Sequence, residues 1–351
     1  MSHVSLRARR VFTACTLGLG VVTLFGCGGG GEALVEPSPP PAAAAAEPAS
    51  PARLRLAKAY DRAGVTALAS GADGGTIGVV AADGSVRLLD ASDGRLRTRF
   101  QGHGAVAATG VLFSADGRFM ITVGRDSVAN VWDLQSAEKA LELRGHAHPI
   151  RAVAASAQAG LIATAGEDSR VVLYDAATGR LRKLLRGATD FINTVAFSPD
   201  GRLIAGGDAS ARTLVWSVDS GKLVHTLRGH ADEVGAVAFS PDGRWIATGG
   251  DDGRVLLWDA ATGLQVHRFD GSPGGLRALA FSADGAALAA GGSDGKVLVW
   301  EMANRQLSRT LERSGAAINT VAFGGRNAGV LFAGGADNRV VVWDVARGVA
   351  R

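Results

Sequence analysis

The sequence predicts an all-β fold, a seven-bladed β-propeller of four-stranded antiparallel blades. Three observations predict it. An aromatic recurs at Phe113, Phe197, Phe239, Phe281 and Phe323, at steps of 84, 42, 42 and 42 residues, and a fixed period in this range marks a repeat architecture. A second aromatic, at Trp132, Tyr174, Trp216, Trp258, Trp300 and Trp343, keeps the same step with one residue added at the last. Within the unit, four short β-rich runs alternate with turn residues, and no stretch carries convincing helical periodicity. Each such sheet is apolar on both faces and must bury both against neighbours, which a closed ring achieves for every copy.

The copy opening at Val234 shows the elements in order. "VGAVAFS", "RWIATG", "RVLLWD" and "LQVHRF" read as strands rich in Val, Ile, Leu, Trp and Phe, joined by "PDG", "GDDG" and "ATG". Pro241 presets φ, the Asp242 side chain can accept from its own backbone, and Gly243 supplies the positive φ that other residues resist. A weaker first copy places Leu89 and Asp90 at the Trp-Asp position, and Ala155 replaces the opening aromatic of the third. That gives seven copies from about Val65 to the C-terminus.

The pairs Gly102–His103, Gly145–His146 and Gly229–His230, with Trp-Asp at Trp132, Trp258 and Trp343, resemble the WD-repeat (WD40) family over roughly residues 53–351. The last copy stops at Arg351, where its outermost strand should begin, and an unpaired edge is a liability. The resemblance implies that "RLRLAKAY", Arg53 to Tyr60, completes the last blade by pairing with the strand from Arg339 to Val345.

Polar residues recur with the blades: His103, Thr122, Asp126 and Trp132; His146, Thr164, Asp168 and Tyr174; His230, Thr248, Asp252 and Trp258. A Thr-His-Asp set suggests a hydrolase, but a catalytic set would occur once rather than in several copies. The resemblance implies a structural hydrogen-bond network in each blade. No catalytic residue is therefore expected. Copy four has Ala188, Gly206 and Ser210 at these places and copy six has Ser272 and Ala290 beside Asp294 and Trp300, so both are expected to be held mainly by packing. "LYDAATG" and "LWDAATG" also resemble quinoprotein-type repeats, yet no Trp follows the Thr-Gly. No cofactor and no metal are expected, the "GDDG" acids lacking the spaced carboxylates of a calcium loop.

The N-terminus has a different character. Arg7, Arg9 and Arg10 precede an apolar run from Val11 to Phe25, followed by "LFGC" at Leu24 to Cys27, the pattern of a signal peptide. It resembles a bacterial lipobox with Cys27 as the lipidated residue, Phe25 departing from the usual small residue. The domain reading is a signal peptide over 1–26, a Gly/Pro/Ala-rich tether over 27–52 that suits a lipid-anchored domain, and the propeller over 53–351. Cys15 and Cys27 are the two cysteines, so the propeller forms no disulfide. Acyl chains on Cys27 would make the only membrane attachment. The expected location is the bacterial cell envelope, on the periplasmic side of the outer membrane, with the cell surface as the alternative.

Net charge is +4, and removal of Arg7, Arg9 and Arg10 leaves about +1 (4 − 3). Basic and acidic residues are interspersed, whereas a nucleic-acid binder shows a basic stripe, so nucleic-acid binding is excluded. In the resembled family partners often dock on the face of the loops around the central channel. Candidates there are Arg125, Glu167, Asp251 and Ser293 before the turn position, and Arg151, Asn193, Arg277 and Asn319 opening the first strand. The loop "RGATDFIN" adds Asp190 and Phe191, an aromatic that either anchors a partner or packs beneath its own loop. The functional expectation is a monomeric, non-enzymatic scaffold for protein partners. The alternative is an envelope enzyme or small-ligand sensor using the channel mouth.

Overall fold

The computed structural model describes residues 64–71, 74–91, 94–272, 274–312, 315–324, 330–337, 340–344 and 349–350. The expected signal peptide, Cys27 with its tether, and the strand at Arg53 to Tyr60 lie outside the described residues. Every regular element among those described is a β-strand, and the strands form seven four-stranded sheets, each antiparallel with neighbours in chain order. Blade one holds β1 (Val65–Ser70), β2 (Thr76–Ala81), β3 (Val86–Asp90) and β4 (Leu96–Phe100). Blade two holds β5 (Ala108–Phe113), β6 (Phe119–Gly124), β7 (Ala129–Asp133) and β8 (Glu138–Leu143). Blade three is β9 (Ile150–Ser156), β10 (Leu161–Gly166), β11 (Val171–Asp175) and β12 (Leu181–Leu185), and blade four β13 (Ile192–Phe197), β14 (Leu203–Asp208), β15 (Arg212–Ser217) and β16 (Leu223–Arg228). Blade five follows with β17 (Val234–Phe239), β18 (Trp245–Gly250), β19 (Arg254–Asp259) and β20 (Gln265–Asp270), and blade six with β21 (Leu276–Phe281), β22 (Ala287–Gly292), β23 (Lys296–Glu301) and β24 (Gln306–Glu312). Blade seven has β25 (Ile318–Phe323), β26 (Val330–Gly335), β27 (Val340–Asp344) and the two-residue β28 (Val349–Ala350), which pairs with Trp343 and Asp344.

The turns follow from their residues. In the β17–β18 hairpin Asp242 Oδ1 accepts from the Arg244 amide at 3.0 Å, and Gly243 takes φ 72°. Ser240 adds a brace: its hydroxyl donates to Asp242 Oδ1 and accepts from the Trp245 amide at 2.9 Å. Ser114, Ser198 and Ser282 repeat that brace in blades two, four and six.

Apolar side chains from facing sheets fill the space between blades. Between blades three and four, Leu173 and Leu185 meet Ile192, Ile204 and Trp216, the last fully buried. Blades four and five repeat the arrangement with Val215, Leu227, Val234, Ile246 and Trp258, and blades six and seven with Val299, Leu311, Ile318, Leu331 and Trp343. Each such side chain contributes roughly 1.5–3 kcal/mol when fully buried. No sheet buries its apolar faces alone, so the blades stabilise one another. The ring closes on its inner strands, where Asn319 Nδ2 of blade seven donates to the Val65 carbonyl of blade one at 3.1 Å.

One irregularity repeats in every blade. The pairing between first and second strands slips once, leaving a single unpaired residue: Thr66, Thr109, Arg151, Asn193, Gly235, Arg277 and Asn319. A bulge re-aims its residue relative to the sheet. Here it turns one position per blade toward the channel.

A candidate binding face at the channel mouth

The recurring polar sets lie inside the blades. In blade two His103 Nδ1 meets Asp126 at 2.9 Å, Nε2 meets Thr122 Oγ1 at 3.0 Å, and Trp132 Nε1 donates to the same hydroxyl at 2.9 Å. A carboxylate only accepts, so Nδ1 carries the proton, and the Thr122 hydroxyl donates to Nε2 of the neutral ring. Burial holds the His103 pKa below the ordinary histidine value, with Asp126 opposing that shift. Blade five repeats the set through His230, Asp252, Thr248 and Trp258, with Nδ1 to Asp252 at 3.0 Å and Nε2 to Thr248 at 2.8 Å. In blade three His146 bridges Asp168 and Thr164, but the Tyr174 hydroxyl is buried beside Thr164 without a hydrogen bond of ordinary geometry. Burial alone would raise the Asp168 and Asp252 carboxyls. Hydrogen bonds from the neighbouring histidine and backbone amides outweigh it and hold both below the usual range. Thr122, Thr164 and Thr248 are fully buried, so no substrate reaches their hydroxyls.

Blade four fills the same corner differently. Beside its packing it carries a buried ion pair: Asp208, at the end of β14, is fully buried and receives Arg212 Nε at 3.0 Å and Nη2 at 2.6 Å. Its other oxygen accepts the Ser210 and Arg212 amides, and Arg212 reaches Thr189 Oγ1 at 2.7 Å. The steric reason is local. At the equivalent Gly250 of blade five a Cβ would stand 2.6 Å from His230 Nδ1, so a side chain fits there only where the histidine is gone. With Ala188 in place of histidine, Asp208 occupies that corner and Arg212 supplies the cation. In blade six Asp294 remains, its Oδ1 accepting the Lys296 amide at 3.1 Å.

Six of the seven bulged residues converge on a cavity of about 440 Å³ at the channel mouth, lined by Thr66, Thr109, Arg125, Arg151, Glu167, Asn193, Arg277 and Asn319. Several lock one blade to the next: Thr66 donates to the Ala108 carbonyl, Thr109 to Ile150 at 2.6 Å and Asn193 to Val234 at 3.4 Å. Along one arc the side chains form a continuous chain. Arg125 approaches Glu167 at 3.5 Å, Arg151 donates to Glu167 at 3.1 Å and to Asn193 Oδ1 at 3.0 Å, and Asn193 Nδ2 donates to Glu233 at 3.2 Å. Phe191 stands on the rim, 40 % exposed, with the Arg151 guanidinium 5.3 Å from its ring centre. It therefore packs against Arg151 while keeping an open face.

The remaining candidates sit outside the cavity. Asp190 accepts from the Ser210 hydroxyl at 3.1 Å, Asp251 lies against Gly275, and Ser293 lies against Gly274. Thr66 and Thr109 carry no signal as residue types, although the 42-residue step from Arg151 reaches Thr109 and one further residue reaches Thr66. Glu233 is marked by no periodicity.

Residues 221–259, 263–301 and 305–344 each match the WD domain, G-beta repeat. Three WD40 repeats thus lie within the seven-bladed propeller. Each match to the WD40 model begins near the outermost strand of one blade and ends with the third strand of the next, so the sequence unit is staggered by one strand from the structural blade. Residues 73–219 of the same propeller match the cytochrome D1 heme domain. No curated protein matches the chain.

The residues of the propeller do not fit a haem. Its iron needs an axial nitrogen, sulfur or phenolate, and the mouth is lined by Thr, Arg, Glu and Asn. Within the matched range His103 and His146 have both ring nitrogens engaged, Met120 and Tyr174 are fully buried between blades, and His148, exposed in the β8–β9 loop, is not among the residues lining the mouth. Among the described residues no three His, Cys, Asp or Glu side chains cluster as metal ligands.

Proposed function

We propose that the propeller is a non-enzymatic scaffold whose channel-mouth face binds a protein partner, and that a lipid on Cys27 holds it in a bacterial cell envelope. The carrying observation is the contrast between frame and face. The blades repeat their turns, bulges and buried contacts, while the residue that each bulge presents reads Thr, Thr, Arg, Asn, Gly, Arg and Asn. A uniform frame carrying a varied rim suits recognition of one asymmetric surface. Phe191 and Arg125 stand on that rim as an aromatic and a guanidinium, side-chain types enriched among binding hot spots. The WD40 repeats support a role in protein interaction, and the lipobox-like "LFGC" supports the anchor.

A crosslinked pull-down from the membrane fraction tests this reading. The wild type should recover a discrete envelope protein that a Phe191→Ala, Arg125→Ala double variant with unchanged thermal unfolding fails to recover. Recovery of nothing above background by the wild type would remove the scaffold reading. A second reading, a small-ligand sensor, is favoured by the cavity itself: eight polar or charged side chains from six blades surround about 440 Å³, within the usual range of ligand sites.

A further inference from the structure

The charges around the mouth are unevenly matched. Three arginines and one carboxylate, Glu167, line the cavity. Glu167 serves Arg125 and Arg151 together, so two cations share one acid. Arg277 stands across the channel, on blade six, and among the described residues no hydrogen bond or ion pair engages it. In a ring of seven, blade six is three steps from both blade two and blade three, the greatest separation available. Two rim acids, Glu233 and Asp251, lie outside the lining.

We propose that the mouth binds a small anion bearing at least two negative charges, a phosphate or polycarboxylate, clasped between Arg277 on one side and Arg125 with Arg151 on the other. Guanidinium groups suit this ligand because their fixed donors match paired oxygens. Arg151 is held by Glu167, Asn193 and Phe191 and acts as a fixed donor, whereas Arg125 and Arg277 close on the anion. The proposal rests on the small-ligand reading of the mouth, and a protein partner on the rim neither requires nor forbids it.

Calorimetric titration of the full-length protein in detergent, at low ionic strength, with inorganic pyrophosphate and separately with citrate, tests the site. At least one probe should bind saturably to the wild type, with affinity about tenfold lower in Arg277→Gln and in Arg125→Gln, the loss of one charge-assisted contact. Arg202→Gln, a substitution at a highly exposed position on the opposite face, should bind as the wild type does. Absence of saturable binding by both probes, or equal weakening by Arg202→Gln, would overturn the proposal. If anion binding fails while the wild type still recovers its partner, the anion site alone is removed and the scaffold reading stands.

Discussion

At the scale of single residues, one corner of the blade is filled in two ways. Blades two, three and five use a histidine held between a carboxylate and a threonine, and blade four uses the buried pair Asp208–Arg212. Asp252→Ala strips partners from His230 and from the Ala231 and Arg254 amides. The expected loss is about 1–3 kcal/mol, read as a lower midpoint in chemical denaturation. Asp208→Ala leaves a largely buried guanidinium without its anion and should cost more, about 3–5 kcal/mol. The pH dependence follows from the direction of the His103 shift. Its folded pKa lies below 6.5, so the unfolded chain takes up a proton first as the pH falls. Stability from the neutral ring is complete above 6.5 and is lost as the pH falls from there through the folded value. Melting temperature measured from pH 7 downward should therefore fall less steeply for His103→Gln than for the wild type. Parallel curves would contradict that assignment. Asp168 and Asp252, with lowered pKa values, contribute stability that is lost only further down, below about 3.8.

The element scale shows where sequence reading succeeds and where it stops. The four strands and three turns of each blade were legible because period, β-branched runs and Gly-containing turns act locally and agree. The bulge was not legible, because a one-residue slip in pairing leaves the hydrophobic pattern of the first strand almost unchanged. It nevertheless decides which side chain reaches the mouth. Arg125, Glu167, Arg151, Asn193, Arg277 and Asn319 were found by counting repeat positions, whereas Thr66 and Thr109 looked unremarkable as residue types. The Asp208–Arg212 pair escaped notice because Asp208 ends β14, two residues before the turn position where the repeat places its acid. Gly235 carries the element-scale prediction. A Cβ there would stand 2.7 Å from the Leu276 carbonyl of the next blade, and backbone yields poorly. Gly235→Ala should destabilise by about 1–3 kcal/mol, whereas Gly104→Ala tests conformational strain alone, since its Cβ meets nothing within 4 Å.

At the scale of the whole molecule, the ring converts a bland repeat into one asymmetric surface. Seven equivalent bulges face a common axis, and they present hydroxyl groups from blades one and two, guanidinium groups from blades three and six and amides from blades four and seven, with Phe191 on the rim beside them. The proposed anchor would present this surface beside a membrane. Cys27→Ser should therefore abolish incorporation of a labelled fatty acid, leaving the thermal unfolding of the propeller unchanged. Incorporation of the label by that variant would contradict lipid attachment at Cys27.

The most direct test of the binding face is site-specific photocrosslinking in intact cells. A photoreactive residue is placed either at Phe191, on the channel-mouth rim, or at Gln135, exposed in the β7–β8 turn of the opposite face. The account predicts a discrete crosslinked band from position 191 and none from position 135. A band from position 135 alone, or none from either, would contradict a partner seated on the channel-mouth face.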